Sequence, residues 1–348
     1  MFILRFKVDG LNRFLIKLGA FVLIQVVFLM LITSYGSRDA NSNEYMYAFK
    51  DKIDLLAETP SPRIIFVGGS NLAFGLNSEI VQQELGLNPV NLGLHVGVGL
   101  FPLLRAVEKH VRPEDVIVIS PEYRAIFSSP RCSEAMAIEL AGVWPGSKEY
   151  LQPDFDVPLD ELAPADSRLK QLASCVRTAR KRLSRRDKLG ANREGQPSVY
   201  QRSSFNQFGD HVGHYQIASE KEPSFEGDLE SLPAPGDETF SEIVDRLNQF
   251  NDVCLSVNAK VFMANSPVPQ VYLDRQPEWA EAVNHVFAEQ IRIPKLTIVQ
   301  MVAFQQAMFY DGSDHLTQLG AQWRTMTICD QLKRVREAEA TGNGFRWR

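Results

Sequence analysis

An apolar run that leads directly into two glycines and a serine constrains the fold of this chain most strongly. Residues 64–67 (Ile-Ile-Phe-Val) follow Pro62 closely and precede Gly-Gly-Ser-Asn at 68–71. A short β-branched run of this kind is typical of a strand buried on both faces of a parallel sheet. The glycines permit a sharp strand-to-helix turn and a close approach of substrate to the backbone. We therefore expect the Ser70 hydroxyl at the carboxyl edge of the sheet, where α/β folds bind their ligands.

Further segments repeat the strand pattern and alternate with helical ones. Short apolar runs predict strands at 63–67, 88–93, 115–120, 260–264 and 296–299. Amphipathic or capped stretches predict helices at 79–85, 99–109, 240–257, 279–291 and 320–332. Strands that alternate with helices predict an α/β fold, here a three-layer, doubly wound parallel sheet.

The middle of the chain departs from this pattern. Prolines and charges are frequent between about 128 and 235, and the apolar periodicity there is weak. One predicted helix in this stretch carries a basic face over 177–188, which can lie on an anionic membrane or meet an anionic polysaccharide; a solvated surface helix is the simpler alternative. We predict one α/β domain over 61–335, with an insertion at about 128–235 and a charged tail at 336–348.

The N-terminal segment bears on the compartment. Residues 14–33 are almost wholly apolar, and about 20 such residues suffice to cross a bilayer as a helix. Basic residues precede the run and acidic ones follow it, so the positive-inside rule puts the start of the chain in the cytoplasm. We predict a cytoplasmic stub and transmembrane anchor at 1–36 and a stalk at 37–60. The alternatives are a cleavable signal peptide, disfavoured by the poor cleavage site at 33–35, and a buried core helix.

Composition narrows the class of protein. The 348 residues are 45% hydrophobic and 23% charged, which is ordinary globular composition. The formal net charge of −5 gives no basic footprint, so we expect no nucleic-acid partner. The predicted anchor and its orientation make this a single-pass protein of the inner (cytoplasmic) membrane, with its main domain on the periplasmic or extracellular side. Four cysteines are too few for a disulfide scaffold; Cys132 and Cys175 can pair, whereas Cys254 and Cys329 are predicted to be buried thiols.

Ser70 and a late acidic and histidine segment are the candidates for catalysis. Residues 310–316 read Tyr-Asp-Gly-Ser-Asp-His-Leu. A serine hydroxyl is a weak nucleophile that needs an adjacent base, usually an imidazole oriented by a carboxylate. His315 is the candidate base, and Asp311 or Asp314 would orient it. The backbone N–H groups of Ser70 and Gly93 are candidate oxyanion donors, each worth on the order of 3 kcal/mol.

Other types of site fit these residues less well. No lysine follows the serine turn as a phosphate-binding P-loop requires. Leu72 takes the place of the last glycine of a Gly-x-Ser-x-Gly elbow. His211 and His214 are close together without further clustered ligands, so we predict no metal site and no cofactor.

At these residues the chain resembles the SGNH, or GDSL-like, hydrolase family. The serine block resembles 68–70 (Gly-Gly-Ser), with Gly69 in the usual acidic position. The second-block glycine resembles Gly93, and the final Asp-x-x-His block resembles 311–315. The resemblance covers roughly 63–125 and 237–332, which implies an SGNH-like sheet with a long insertion.

Two departures from the family pattern matter for the site. Asp311 lies one residue farther from His315 than in the family, while Asp314 is adjacent to it; we favour Asp311 for its reach. The third block, normally Gly-x-Asn, reads Ser-Pro-Glu-Tyr at 120–123, so the asparagine donor is absent. Asn206, in the insertion, is a candidate replacement; the alternative is a site that has lost catalysis.

The resemblance also implies a function. Membrane-anchored members of the family are similar in layout to proteins that add or remove O-acetyl groups on exported polysaccharides. It implies a serine esterase or O-acyltransferase in which Ser70 attacks an ester and His315 moves the proton. The implied partners are a membrane, an acylated carbohydrate and membrane proteins of polysaccharide biosynthesis. The alternative is a non-catalytic polysaccharide-binding or assembly component with a degenerate SGNH fold.

Overall fold

The fold is that of a computed structural model, which describes residues 2–37, 43–127, 130–162, 199–215, 217, 225 and 238–341. In chain order its helices and strands are α1 (Phe2–Ser37), α2 (Ala48–Glu58), β1 (Arg63–Val67), α3 (Ser70–Ala73), α4 (Ser78–Leu85), β2 (Asn88–Asn91), α5 (Leu100–His110), β3 (Val116–Ile119), α6 (Tyr123–Phe127), α7 (Glu134–Val143), α8 (Lys148–Leu151), α9 (Leu159–Leu162), α10 (Glu238–Ser256), β4 (Lys260–Met263), β5 (Val268–Pro269), α11 (Gln270–Arg275), α12 (Pro277–Gln290), β6 (Ala303–Phe304), β7 (Phe309–Gly312), β8 (His315–Leu316) and α13 (Gln318–Ala340).

The centre of the fold is a four-stranded parallel sheet in the order β2-β1-β3-β4. The register pairs Ile65 of β1 with Val90 on one side and with Ile117 on the other. Because all four strands run the same way, their carboxyl ends meet at one edge. Two short pairs flank the sheet: β5 pairs with β6 in parallel, and β7 pairs with β8 as an antiparallel hairpin.

Two hydrophobic cores cover the two faces of the sheet. Alternate strand residues point to opposite faces, so Ile65 and Ile117 join a core with α2, α5, α10 and α12. Ile64 and Val118 join the other core with α4 and α13. Burial on both faces explains why these strands are continuously apolar in the sequence. The predicted α/β class with a parallel sheet is therefore confirmed.

Four of the five predicted strands are confirmed, and the one at 296–299 is wrong. Only a single parallel bridge, between Met263 and Lys295, extends the sheet beyond β4 there. Beyond that bridge, side-chain bonds replace the backbone ladder. The Asn265 N–H donates to Thr297 Oγ1 at 2.8 Å, and Asn265 Nδ2 donates to the Thr297 carbonyl at 2.7 Å. The apolar run predicts a strand, but it does not reveal that side-chain hydrogen bonds take the place of backbone pairing here.

The segment predicted as a stalk differs in the structure. Residues 48–58 of that segment form α2, whose Phe49, Ile53 and Leu56 are buried in the core that covers one face of the sheet. The helix contributes to the domain because its apolar side chains recur at helical spacing. This part of the predicted stalk therefore belongs to the α/β domain.

Residue contacts divide the chain into two units, Met1–Ser42 with Ala163–Ser198, and Asn43–Leu162 with Val199–Arg348. Among the residues that the structure describes, no helix combines the length and apolarity that a membrane crossing requires. The predicted basic helix at 177–188, together with Cys175, lies outside the described residues.

Cys254 and Cys329 are buried as predicted, and burial raises the pKa of each thiol to about 12.

Candidate active site

The serine turn leaves β1 at the carboxyl edge of the sheet, as predicted. Ser70 is the first residue of α3 and only 8% of its surface is exposed. Behind it, Asn71 Nδ2 donates to the Ser120 carbonyl at 3.0 Å and to Ser266 Oγ at 2.9 Å. These bonds join the serine turn to the chain that follows β3 and to the chain that follows β4. The fold thus fixes the position of Ser70 relative to three strand ends.

Glu122 is the direct partner of the Ser70 side chain. Ser70 Oγ donates to Glu122 Oε1 at 2.7 Å, and the Asn71 N–H donates to the same oxygen at 3.1 Å. Glu122 is 3% exposed and follows β3 by three residues. Its carboxylate takes the space that a side chain at position 69 would need, because a Cβ on Gly69 would lie 2.5 Å from Oε1. The glycine is therefore required by the close approach of Glu122.

The β7–β8 hairpin presents the second half of the site. His315 Nδ1 hydrogen-bonds Asp311 Oδ1 at 2.7 Å. Burial opposes protonation of His315, but the Asp311 carboxylate outweighs it and raises the pKa of the imidazole. Burial raises the pKa of Asp311, but the hydrogen bonds with His315 and Tyr200 and the nearby imidazole charges together outweigh burial and lower that pKa. Asp311 is therefore the carboxylate that orients His315, while Asp314 acts on the ring only at longer range.

Phe74 brings the two halves together. It caps the carboxyl end of α3, and its ring stacks on His315 with centroids 4.1 Å apart and planes 13° apart. Glu122, the carboxylate that holds Ser70, also acts electrostatically on His315. No hydrogen bond joins Ser70 to His315 in the described part of the chain. The structure thus places Ser70, Glu122, His315 and Asp311 in one cluster, with the serine proton directed to Glu122.

Two of the predicted oxyanion donors are committed elsewhere. The Gly93 N–H donates to Asn91 Oδ1 at 2.9 Å, and Gly93 packs so closely against α3 that a Cβ would lie 2.5 Å from the Ala73 nitrogen. Asn206 Oδ1 accepts the N–H groups of Phe208 and Asp210, so it stabilises its own loop. The structure does not bring Asn206 to the serine. The Ser70 N–H begins α3 and therefore has no partner within that helix.

Arg324 supports the serine turn from below. The residue lies on α13 and is completely buried. Its guanidinium donates to the Asn71 carbonyl and to Ser120 Oγ, each at 2.6 Å, and more weakly to the Gly75 and Asn265 carbonyls. Burial lowers the pKa of Arg324 to about 10. A buried cation therefore stands behind the serine turn.

The insertion contributes aromatic and imidazole side chains to the same cluster. Tyr200 donates its hydroxyl to Asp311 Oδ2 at 2.5 Å, so the carboxylate that orients His315 has a second partner. His211 stacks on the face of Phe74, with centroids 4.1 Å apart and planes 22° apart. Phe74 thus lies between the rings of His211 and His315. The described part of the insertion thus contacts Asp311 and Phe74.

His211 and His214 have structural partners. His211 Nε2 donates to the Val199 carbonyl at 2.8 Å, and His214 Nε2 donates to the Leu316 carbonyl at 2.9 Å. Burial lowers the pKa of His211 to about 3 and that of His214 to about 4. The pair ties the insertion to β8. Across the ranges that the structure describes, no group of three or more His, Cys, Asp or Glu side chains is arranged to hold a metal ion.

A narrow groove runs beside the serine turn. Its walls are mostly apolar or glycine, and they come from the turn itself, from α5 and from the chain after β3. The lining includes Gly68, Gly69, Leu100, Leu103, Pro121 and Ala125. Ser70 is not among the lining residues, and the cavity volume of about 10 Å³ is enough for about one water molecule.

Sequence reasoning missed Glu122, Tyr200 and Arg324. The signal for Glu122 was a charged residue directly after a buried strand, at the position where the other site residues also stand. Tyr200 follows a segment with no periodic pattern, and Arg324 occupies one turn of an otherwise ordinary helix. Neither position carries a local signal. No protein-family model and no curated protein matches this chain.

Proposed function

We propose that this protein is a serine esterase or O-acyltransferase that acts on acyl groups of an exported or cell-surface polysaccharide. The observation that carries the proposal is the 2.7 Å bond between His315 Nδ1 and Asp311 Oδ1. The His315 ring stacks on Phe74, which caps the helix that begins at Ser70. A carboxylate-oriented imidazole beside a buried serine is the arrangement that activates a hydroxyl for acyl transfer.

The proposed chemistry has two half-reactions. Ser70 attacks the ester carbonyl and forms an acyl-enzyme, while His315, oriented by Asp311, transfers protons. Water or a sugar hydroxyl then takes the acyl group. The resemblance to SGNH hydrolases supports the reaction type.

Location and partners are further parts of the proposal. The N-terminal segment would anchor the protein in the cytoplasmic membrane, with the α/β domain on the periplasmic or extracellular side beside membrane proteins of polysaccharide biosynthesis. Supporting it, apolar side chains of α1 such as Ile16, Leu23 and Met30 are more than half exposed, at 71%, 63% and 63%. Membrane fractionation of the full chain, and of a chain with three of these residues changed to Gln, tests this part.

The test of the activity uses the full-length protein with p-nitrophenyl acetate and an O-acetylated polysaccharide. We expect release of acetate and an acetyl adduct on Ser70 in intact-mass spectra. Ser70→Ala should abolish both. Ser256→Ala, at the exposed end of α10, is the matched control and should leave them unchanged. Full turnover by Ser70→Ala would refute the proposal.

A second candidate function is a non-catalytic polysaccharide-binding or assembly component. The observation in its favour is that two predicted oxyanion donors are committed within the protein, since the Gly93 N–H donates to Asn91 and Asn206 Nδ2 donates to Asp210. This alternative predicts that the wild-type protein binds glycan and forms no adduct on Ser70. The same mass spectra therefore separate the two functions.

A further inference from the structure

The hydroxyl proton of Ser70 is already directed at a base other than His315. An ionised carboxylate only accepts hydrogen bonds, so the 2.7 Å contact between Ser70 Oγ and Glu122 Oε1 places the serine proton on the line between them. The same Glu122 oxygen accepts the Asn71 N–H, which holds the carboxylate in place. A general base must lie within hydrogen-bond reach of the proton that it removes, and Glu122 does.

The backbone of the serine turn is shaped around this carboxylate. Any side chain at position 69 would collide with Glu122, whose Oε1 and Cδ would lie 2.5 and 2.8 Å from the added Cβ. Glycine at that position is therefore the condition for the contact between Glu122 and Ser70. The carboxylate is part of how the turn is built.

His315 is placed for the opposite task. Its Nδ1 is bonded to Asp311, and Tyr200 donates a second hydrogen bond to that carboxylate. Burial disfavours the imidazolium, but the Asp311 carboxylate, with Asp314 and Glu122 at longer range, raises the pKa of His315. The cluster thus holds one carboxylate that accepts the serine hydrogen bond and one imidazole whose pKa is raised, and these are the partners that a base and an acid require.

We propose that Glu122 is the general base for Ser70 and that His315 is the general acid for the leaving alcohol. The inference rests on the proposed acyl-transfer function and deepens it. In acylation, the O–H bond of Ser70 breaks, its proton moves to Glu122, and Oγ bonds to the acyl carbon. The ester C–O bond then breaks, and the leaving oxygen takes a proton from His315.

Deacylation reverses these transfers. Water or a sugar hydroxyl gives its proton to the now neutral His315 as its oxygen bonds to the acyl carbon. The bond between Ser70 Oγ and that carbon breaks, and Ser70 regains its proton from Glu122. Both groups return to their starting states, so no other reactant is needed.

The leaving group of the ester separates the two roles. p-Nitrophenolate leaves without protonation, whereas the ethoxide of ethyl acetate requires an acid. His315→Gln should therefore still acylate Ser70 with p-nitrophenyl acetate, within about tenfold of the wild type, and then accumulate the acetyl-enzyme because deacylation lacks its base. Acylation by ethyl acetate should fall by about 10²–10⁴-fold. Single-turnover intact-mass spectrometry of the full-length protein measures both.

Glu122→Gln tests the base directly. The amide oxygen keeps the shape and still accepts hydrogen bonds, but it cannot take the proton. We expect acylation by both esters to fall by about 10²–10⁴-fold. Glu281→Gln, an exposed change of the same kind on α12, is the matched control and should acylate like the wild type.

The outcomes distinguish the inference from the function on which it rests. Absence of any acetyl adduct in the wild type would defeat the proposed function itself. Adducts in the wild type but none in His315→Gln with p-nitrophenyl acetate would assign the base to His315 and overturn the inference. Wild-type or faster acylation by Glu122→Gln would overturn it as well. If Glu122→Gln does not fold, the His315→Gln result decides alone.

Discussion

Two arginines are completely buried at opposite edges of the same sheet, and they are held in different ways. Arg63, at the start of β1, makes a two-pronged ion pair with Asp115, with both N–O distances at 2.8 Å. Its remaining donors meet the carbonyls of Leu56 and His110. Arg324, at the carboxyl ends of the strands, meets carbonyls and one hydroxyl, and its Nε has no partner among the described residues.

The difference between the two arginines distinguishes a group that stabilises the fold from a group that positions the serine turn. At the amino edge, an opposite charge and carbonyls give every nitrogen of the buried guanidinium a hydrogen-bond partner, as a structural site requires. At the carboxyl edge, the charge is left without a contacting carboxylate, and burial lowers the pKa of Arg324 to about 10. Glu122 and Asp314 act on it at longer range. Arg324 therefore positions the serine turn through its bond to the Asn71 carbonyl, and it makes no ion pair with Glu122 or Asp314.

The largest expected effect is on rate at the carboxyl edge. Asp311→Asn removes the negative charge that orients His315 and favours its protonated form, so acyl transfer should fall by about 10²–10⁴-fold. Asp311 is 35% exposed at its side chain, so the free energy of unfolding should change by less than about 1 kcal/mol. Ester turnover and urea denaturation measure the two quantities. A large loss of stability in Asp311→Asn without a loss of rate would contradict the proposed difference between the two edges of the sheet.

The next effect is on stability at the amino edge. Asp115→Ala leaves the buried Arg63 without its counter-charge, which should lower the free energy of unfolding by about 3–5 kcal/mol. Asp252→Ala removes an exposed partner of Arg292 and should leave the free energy of unfolding nearly unchanged, because solvent screens that pair. Urea denaturation of both variants makes the comparison. Turnover per folded Asp115→Ala molecule should match the wild type, and a loss of turnover would contradict the separation of roles.

Arg324→Met sharpens the comparison because it should affect both quantities moderately. Ser120 Oγ keeps its bond to the Asn265 carbonyl, so the Asn71 carbonyl is the strong contact left without its donor, and this should lower the free energy of unfolding by about 1–3 kcal/mol. Displacement of the serine turn should slow acylation by roughly 10- to 100-fold. Arg334→Met, on the exposed face of the same helix, is the matched control. Unchanged acylation would reduce Arg324 to a purely structural group.

The smallest effect is a pH dependence from the His315–Asp311 pair. Since folding raises the pKa of His315, the folded state binds the proton more tightly than the unfolded state. The resulting stabilisation is present below pH about 6.5 and is lost as the pH rises through the raised pKa. The difference in unfolding free energy between wild type and His315→Gln should therefore shrink from pH 5.5 to pH 8.5. His285→Gln, an exposed control on α12, should show no such change.

The elements of the fold were largely predictable because their signals are local. A buried parallel strand is a short apolar run, and a turn is marked by glycine, so β1 to β4 were found within about two residues. The segment at 296–299 carries the same apolar signal but pairs through Asn265 and Thr297 side chains. The segment at 48–58 is predicted as part of a stalk because an amphipathic pattern does not reveal which surface its apolar face packs against.

The candidate site was predictable only in part, for a related reason. Ser70, His315 and Asp311 stand at strand exits beside turn residues, so their positions could be read from local patterns. Gly93 was chosen for its lack of a side chain, yet its N–H is committed to Asn91. Asn206 was chosen for its chemistry and is occupied in its own loop. Whether a polar group is available depends on its partners, and here the partners lie within four residues, so the folded conformation of each loop decides that these bonds form.

The sequence by itself determined that this chain builds a parallel α/β sheet with a serine at its carboxyl edge and an acidic and histidine hairpin near its end. Periodicity and turn chemistry act over a few residues, and they suffice for that. Only the tertiary structure decided that Ser70 donates to Glu122, 52 residues away, and that Phe74 joins the serine helix to His315. Such contacts follow from how the layers pack, since packing selects among many polar groups that local patterns leave equivalent.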